Sequence, residues 1–378
     1  MIYLNELSVN EFRGIRGLKV KDIGNINLIV GDNNSGKTSV LEAIMLLRNV
    51  NDISNVLNVA RLRTYSSLSP FRQNLFDDFL CLFNRTHEDK GISVDGKLGD
   101  KDLGISIYGN LEKVMVDYRE LMEISRRELV PDSSESIYGE NEIEEFRGIL
   151  KNYYGKNQYD SKRVQINQFT RLTGTRVKGP SLVEMVYISP TEHAFRNIFY
   201  QTIKNDSYKE IVLKVIQIFD VDIEDMLYLK NEQSSHPIEC LRHKKLGVMP
   251  ITTYGDGIKK VLLLANSIAR AANGILLVDE IETAIHAKYY DDIFKFVIKA
   301  CIKFNIQLFA TTHSIEAVDG FLATQYDDKE EVYDQEDRDL IRVITFRKND
   351  EKDKTDARVL SGKEVFKKRD RFEFEVRV

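Results

Sequence analysis

The sequence predicts an α/β fold: a mixed sheet flanked by helices, with a helical insertion. Three observations predict it. Ile26–Val30 is a β-branched apolar run that stops at Gly31, after which Val40, Leu41, Ile44 and Leu47 recur at helical spacing. Ile275–Val278 and Gln307–Ala310 are short apolar runs that end in polar residues, as strands buried on both faces of a parallel sheet do. Residues 118–180 follow neither pattern and read as charged helices around a polar loop.

In chain order, Ile2–Leu4 and Leu18–Val20 read as early strands separated by Phe12-Arg13-Gly14. Residues 50–80 read as helical or irregular. From Gly91 to Asp117, Ile92, Val94, Leu98, Ile105, Ile107, Leu111 and Val114 mark short strands, with Gly96, Gly99 and Gly104 at the turns. Glu120–Leu129 and Asn141–Tyr153 read as helices flanking the loop Pro131–Glu140, with no heptad run long enough for a coiled-coil arm. Val183–Ser189 reads as a strand, Glu192–Phe219 as two helices, and Gly257–Ala272 and Tyr289–Phe304 as helices. Ile341–Phe346 and Phe372–Val378 read as edge strands. The expected organisation is a single domain formed from 1–117 and 181–378, with 118–180 inserted as a helical subdomain suited to contact a partner.

Composition narrows the class. Of 378 residues, 42% are hydrophobic and 30% charged, which supports a packed core rather than disorder. A net charge of -5 argues against a surface made wholly for nucleic acid. Cys81, Cys240 and Cys301 are sparse and unpaired in spacing, which points to a reducing compartment. Charge from Glu6 onward argues against a secretory signal, and no run reaches the length of a membrane span, so the expected location is the cytoplasm, with no membrane partner.

Gly31-Asp32-Asn33-Asn34-Ser35-Gly36-Lys37-Thr38 matches the phosphate-loop template. Glycines let the backbone curl so that its N–H groups converge on phosphate oxygens, and the helix that follows adds its positive end. Gly31, Asn33, Asn34, Ser35, Gly36, Lys37, Thr38 and Ser39 are therefore candidate nucleotide-binding residues, Lys37 for the β- and γ-phosphates and Thr38 for Mg²⁺. Asp279 and Glu280 close a buried strand, at the end where open α/β sheets bind ligands. Asp279 is the second candidate for Mg²⁺ and Glu280 the candidate general base, against the alternative of a solvated strand end. His313, after the strand Gln307–Ala310, is a candidate γ-phosphate sensor or a structural histidine. Tyr254-Gly255-Asp256-Gly257 precedes a helix and reads as a second anion site or a flexible loop. His236, Cys240 and His243 lack the fourth ligand of a structural zinc site. Arg242–Lys245 and Lys367–Arg369 read as surface charge, and the acidic run around Asp327 and Glu330 as a solvated loop.

Together, Asn10–Gly14, Gly31–Thr38, Tyr254–Gly257, Leu277–Glu282 and Ala310–Ser314 resemble the P-loop ATPase heads of ABC/SMC type, and most of all the OLD-like (overcoming lysogenization defect) AAA ATPases, a group similar to RecF and SMC heads. The resemblance spans about residues 1–50 and 183–325. It implies that Lys37 and Thr38 are Walker A residues, Asp279 and Glu280 the Walker B pair, and His313 the switch histidine. It also brings Arg13, Tyr254, Gly255, Asp256 and Gly257 into the nucleotide site, and Glu282 and His286 to the dimer-facing loop. The implied cofactors are ATP and Mg²⁺. The implied assembly is a head-to-tail dimer, or higher oligomer, that sandwiches ATP.

The chain after Gly320 is too short for the nuclease domain that OLD nucleases carry. A separate effector, a nuclease or toxin, is the expected partner, in the manner of the ATPase components of bacterial anti-phage systems. A RecF/SMC-like head that clamps DNA and a self-contained OLD-like nuclease are the alternatives, the first with nucleic acid as partner.

Overall fold

The computed structural model describes residues 3–65, 74–84, 90–116, 141–155, 159–170, 182–194, 198–230, 237–326, 340–349 and 353–372. β1 (Leu4–Phe12) and β2 (Ile15–Val20) form a hairpin that turns at Arg13 (φ +51°). β3 (Ile26–Val30) passes through the glycine-rich loop into α1 (Lys37–Leu46), followed by α2 (Ile53–Ala60), α3 (Leu62–Tyr65) and α4 (Leu75–Leu80). Then come β4 (Lys90–Leu98), β5 (Lys101–Val116), β6 (Asn141–Tyr154), β7 (Tyr159–Asn167) and β8 (Met185–Ile188). α5 (Asp206–Ile216) precedes a small sheet of β9 (Ile223–Leu229), β10 (Ile238–His243) and β11 (Gly247–Pro250). The C-terminal part runs α6 (Asp256–Arg270), β12 (Ile275–Val278), α7 (Tyr290–Lys303), β13 (Gln307–Thr312), α8 (Ile315–Tyr326), β14 (Ile341–Asn349), β15 (Lys354–Ser361) and α9 (Gly362–Phe372).

Two six-stranded sheets result. One is antiparallel, in the order β2-β1-β4-β5-β6-β7. The other has the order β15-β14-β3-β13-β12-β8, parallel except for β15 at its edge. β3, β12 and β13 are buried along their whole length, because the parallel sheet is covered on both faces. Leu28, Leu276, Val278, Leu308 and Ala310 pack on one face with apolar residues of α5–α8. Ile29, Ile275, Leu277 and Phe309 pack on the other, with α1 and the antiparallel sheet. Buried Gln307 staples the two sheets. Its Oε1 accepts from Leu4 N (2.8 Å), and its Nε2 donates to Leu4 O (2.9 Å) and Gly24 O (2.8 Å).

The α/β class with a mixed, helix-flanked sheet is as expected; the helical insertion is not. Asn141–Tyr154 is strand β6, paired with β5 from Val116↔Asn141 to Leu103↔Tyr154, and β7 extends the same sheet. Ile143, Phe146 and Leu150 fall at a spacing that suits a helix face, but Phe146, Leu150 and Asn152 are the inward-facing side of a strand. The adjoining stretch 117–140, with its expected helix at 120–129, lies outside the described residues. Three smaller expectations also change. Gly99 makes the β4–β5 turn, whereas Gly96 and Gly104 lie within strands. The described residues of 192–219 hold 3₁₀ turns and one α-helix rather than two helices. β14 is an inner strand, and Phe372 ends α9, while 373–378 lie outside the described residues.

Candidate nucleotide site

The glycine-rich loop leaves β3 with left-handed backbone at Gly31 (φ +153°), Asn34 (φ +68°) and Gly36 (φ +95°). Glycine tolerates such values at Gly31 and Gly36, and asparagine is among the few other residues that adopt the one at Asn34. α1 then starts with no side-chain cap at Gly36, so its first N–H groups remain available to an anion. Lys37 folds back over the loop and donates to Gly31 O and Asp32 O, both at 2.7 Å. Burial lowers its pKa, opposed by Asp279, Asp32, Glu280 and Glu282. The ammonium is thus held by two carbonyls beside the uncapped helix end. Asn33 and Asn34 are exposed on the loop, while Ser35, Thr38 and Ser39 are half-buried.

Parallel pairing of β3, β13 and β12 brings distant segments together. Thr38 Oγ1 lies 3.2 and 3.0 Å from the two carboxylate oxygens of Asp279. Asp279 Oδ1 also accepts from Thr311 Oγ1 (2.6 Å), and Oδ2 from Tyr187 OH (3.4 Å). A hydroxyl and a carboxylate about 3 Å apart suit neighbouring ligands of an octahedral ion with metal–oxygen distances of about 2.0–2.1 Å. The donor set is all oxygen, as Mg²⁺ prefers.

Glu280 follows with left-handed backbone (φ +48°). Its N–H donates to Thr311 Oγ1 (2.8 Å), and its Oε2 accepts from Thr283 Oγ1 (3.0 Å). The Thr311 hydroxyl therefore serves both carboxylate residues. His313 is anchored through its backbone, its N–H donating to Glu282 Oε1 (2.7 Å). The structure thus assembles Lys37, Thr38, Asp279 and Glu280, with His313 on the adjoining strand end.

Other predicted residues sit differently. Arg13 lines a cleft of about 550 Å³ beside Gly36 and Ser39, but its guanidinium is held by Glu42, with Nε 2.7 Å from Oε2. Glu42 is fully buried and shared with Arg63, which also reaches Ser39 Oγ at 3.0 Å. Tyr254, Gly255, Asp256 and Gly257 make no hydrogen bond to the phosphate loop among the described residues. Gly257 packs against the segment after Glu280, where a Cβ would lie 3.2 Å from Ala284 O. α6 starts there without a side-chain cap. Of the zinc candidates, His236 lies outside the described residues and Cys240 is buried in β10. His243 instead meets Asp220 (Nε2–Oδ2 3.2 Å), while its Nδ1 accepts from the N–H groups of Lys245 and Leu246, and Lys245 holds nearby Asp222. With Nδ1 accepting, the ring proton sits on Nε2 and faces Asp220, which leaves no lone pair there for a metal.

Reading the sequence missed Thr311, Tyr187, Glu42, Arg63 and Lys260. Thr311 was within reach, as the residue that follows Ala310 where an apolar strand turns polar. The others are brought to the site by packing, and carry no local signal.

Two family models match overlapping parts of the chain. One, described as an AAA ATPase domain, matches residues 2–174, and the other, described as "AAA domain, putative AbiEii toxin, Type IV TA system", matches residues 150–319. The chain is 21% identical over 344 residues to a Helicobacter pylori protein named ATP/GTP phosphatase, covering 84% of this chain and 86% of that one. It is 44% identical over 46 residues, 12% of either chain, to the DNA replication and repair protein RecF of Oenococcus oeni. Among solved structures, an SMC head bound to the C-terminal winged-helix domain of ScpA matches with a TM-score of 0.48 at 12% identity, over 96% of this chain and 100% of that one. The SMC head domain from Thermotoga maritima matches with a TM-score of 0.42 at 12% identity, over 95% and 99%.

Proposed function

We propose that this chain binds and hydrolyses ATP, closes head to tail with a second copy around the nucleotide, and controls a separate effector protein. The observation that carries the hydrolytic part is the cluster of the Thr38, Asp279 and Thr311 side chains with the Glu280 backbone N–H, three segments joined at one point beside the phosphate loop. The loop's N–H groups and Lys37 bind the phosphates. Thr38 and Asp279 would hold Mg²⁺, which would supply positive charge to neutralise the phosphates. Glu280 takes a proton from the attacking water, and His313 contacts the γ-phosphate. The AAA ATPase domain matches and the relative named ATP/GTP phosphatase support this chemistry.

Gly255–Gly257 at the uncapped start of α6 is the segment we assign to the partner's nucleotide. Control of a separate effector in bacterial anti-phage defence rests on the resemblance of the motif set to OLD-like ATPases. The family description that names a putative toxin of a type IV system agrees with a toxin-linked setting. Phosphate release from ATP tests the hydrolytic reading. The parent protein should turn over, Lys37→Ala should lose nucleotide binding, and Glu280→Gln should bind ATP without hydrolysing it. Turnover by Glu280→Gln at the parent rate would remove Glu280 as the base.

The short match to RecF favours a second reading, a head that clamps DNA. Affinity for duplex DNA that depends on ATP and falls steeply with salt would select it. Co-purification of an effector that ATP hydrolysis releases would select the first.

A further inference from the structure

Behind the Glu280 loop lies a buried charge. Lys260 sits on α6 among Val261, Leu262 and Leu264 and is fully buried. Its ammonium has three donors and, among the described residues, makes one long hydrogen bond, to Glu280 O at 3.4 Å. The carboxylates of Glu282, Asp279, Glu280 and Glu192 surround it electrostatically, with the His193 imidazole also in its field. Glu282 is half satisfied. Its Oε1 accepts the His313 N–H, while its buried Oε2 has no hydrogen-bond partner among the described residues. Among the described residues the two groups make no ion pair with each other, although Glu282 is the carboxylate that acts most strongly on Lys260. An under-used buried ammonium and an unpaired carboxylate oxygen each cost free energy unless they meet in another state. Burial lowers the Lys260 pKa to about 8, and the surrounding carboxylates oppose that shift.

We infer that Lys260 is a positioning residue for hydrolysis. By closing onto Glu282 Oε2 it ties α6, and the Gly255–Gly257 segment at its start, to the Glu280 backbone and, through Glu282 Oε1, to His313. The link would let movement of α6 set the aim of Glu280 and His313. This rests on the hydrolytic reading above. It differs from a simple buried ion pair in that the pair matters to turnover rather than to nucleotide binding.

The test is a double-mutant cycle of Lys260→Met and Glu282→Gln, following kcat, KM, affinity for a fluorescent ATP analogue, and the denaturant midpoint. Lys260→Met should lower kcat at least tenfold, on the order of the loss that a misplaced catalytic group causes. Nucleotide affinity should stay within about twofold. The double variant should be no slower than the slower single, because both substitutions cut one link. It also removes both charges, so it stands in for Lys260→Met if that variant fails to fold. Parent kcat in the folded variant overturns the proposal. So do multiplicative losses in the cycle, or losses of kcat and affinity that track the midpoint together. If the parent protein itself releases no phosphate from ATP, the hydrolytic reading fails instead. Coupling between Lys260 and Glu282 is then still read from the four midpoints.

Discussion

The Thr311 hydroxyl does two jobs at the site, donating to Asp279 Oδ1 and accepting from Glu280 N. Thr311→Val keeps the shape and removes both bonds. It leaves the buried Asp279 carboxylate short of a donor, at a cost of about 1–3 kcal/mol, and the half-buried Glu280 N–H short of an acceptor. We expect the denaturant midpoint to fall and turnover to drop by about tenfold or more through misplacement of Glu280. An unchanged rate would mean that the β12 end holds its geometry without Thr311. His313→Ala is the companion measurement. Its ring carries no hydrogen bond among the described residues, whereas its backbone is tied to Glu282. The variant should fold and bind nucleotide as the parent does and lose turnover. Full turnover would return His313 to a structural role.

At the scale of the element, β6 is where period and packing disagree. Gly109 and Gly148 face each other across β5 and β6. A Cβ on Gly109 would lie 2.3 Å from Arg147 O, and one on Gly148 would lie 2.6 Å from Tyr108 O. The substitution Gly148→Ala therefore has opposite signs in the two readings. In a helix it would stabilise by about 0.5–1 kcal/mol. In the strand pair it overpacks the crossing, at a cost of about 1–3 kcal/mol. We expect thermal unfolding of Gly148→Ala at a lower temperature than the parent. A rise would support a helix at 141–154.

For the whole molecule, the parallel sheet is held on one face by α1 and the antiparallel sheet, and on the other by the helices that carry Gly255–Gly257 and Lys260. The phosphate loop and the α6 start are therefore parts of one packed body, and a nucleotide bound by one copy could meet the α6 start of another. With hydrolysis blocked in Glu280→Gln, ATP and Mg²⁺ should shift the protein to a dimer in light scattering after size exclusion. Chelation of Mg²⁺ should reverse the shift. A monomer at all nucleotide and metal concentrations would count against the sandwich. No described helix is long and apolar enough to cross a membrane.

The phosphate loop, the acidic pair and the apolar strands that lead into them were legible because each is a local pattern. Gly31 to Thr38 needs specific residues at fixed spacing, and the runs before Asp279 and Thr311 are apolar because their strands are covered on both faces. What only the tertiary structure decided is what those segments meet. Thr311 and Tyr187 reach Asp279 through parallel pairing of β13 and β8 with β12. Lys260 reads in sequence as one of two adjacent lysines after a glycine, yet it is buried because α6 turns that position beneath the Glu280 loop. β6 was read as a charged helix because it carries Glu142, Glu144, Arg147 and Lys151 without a clean apolar alternation, while long-range pairing with β5 sets the backbone. Local pattern determines chemistry at a strand end. Burial and partners are set by contacts between residues far apart in the chain, which no window of sequence contains.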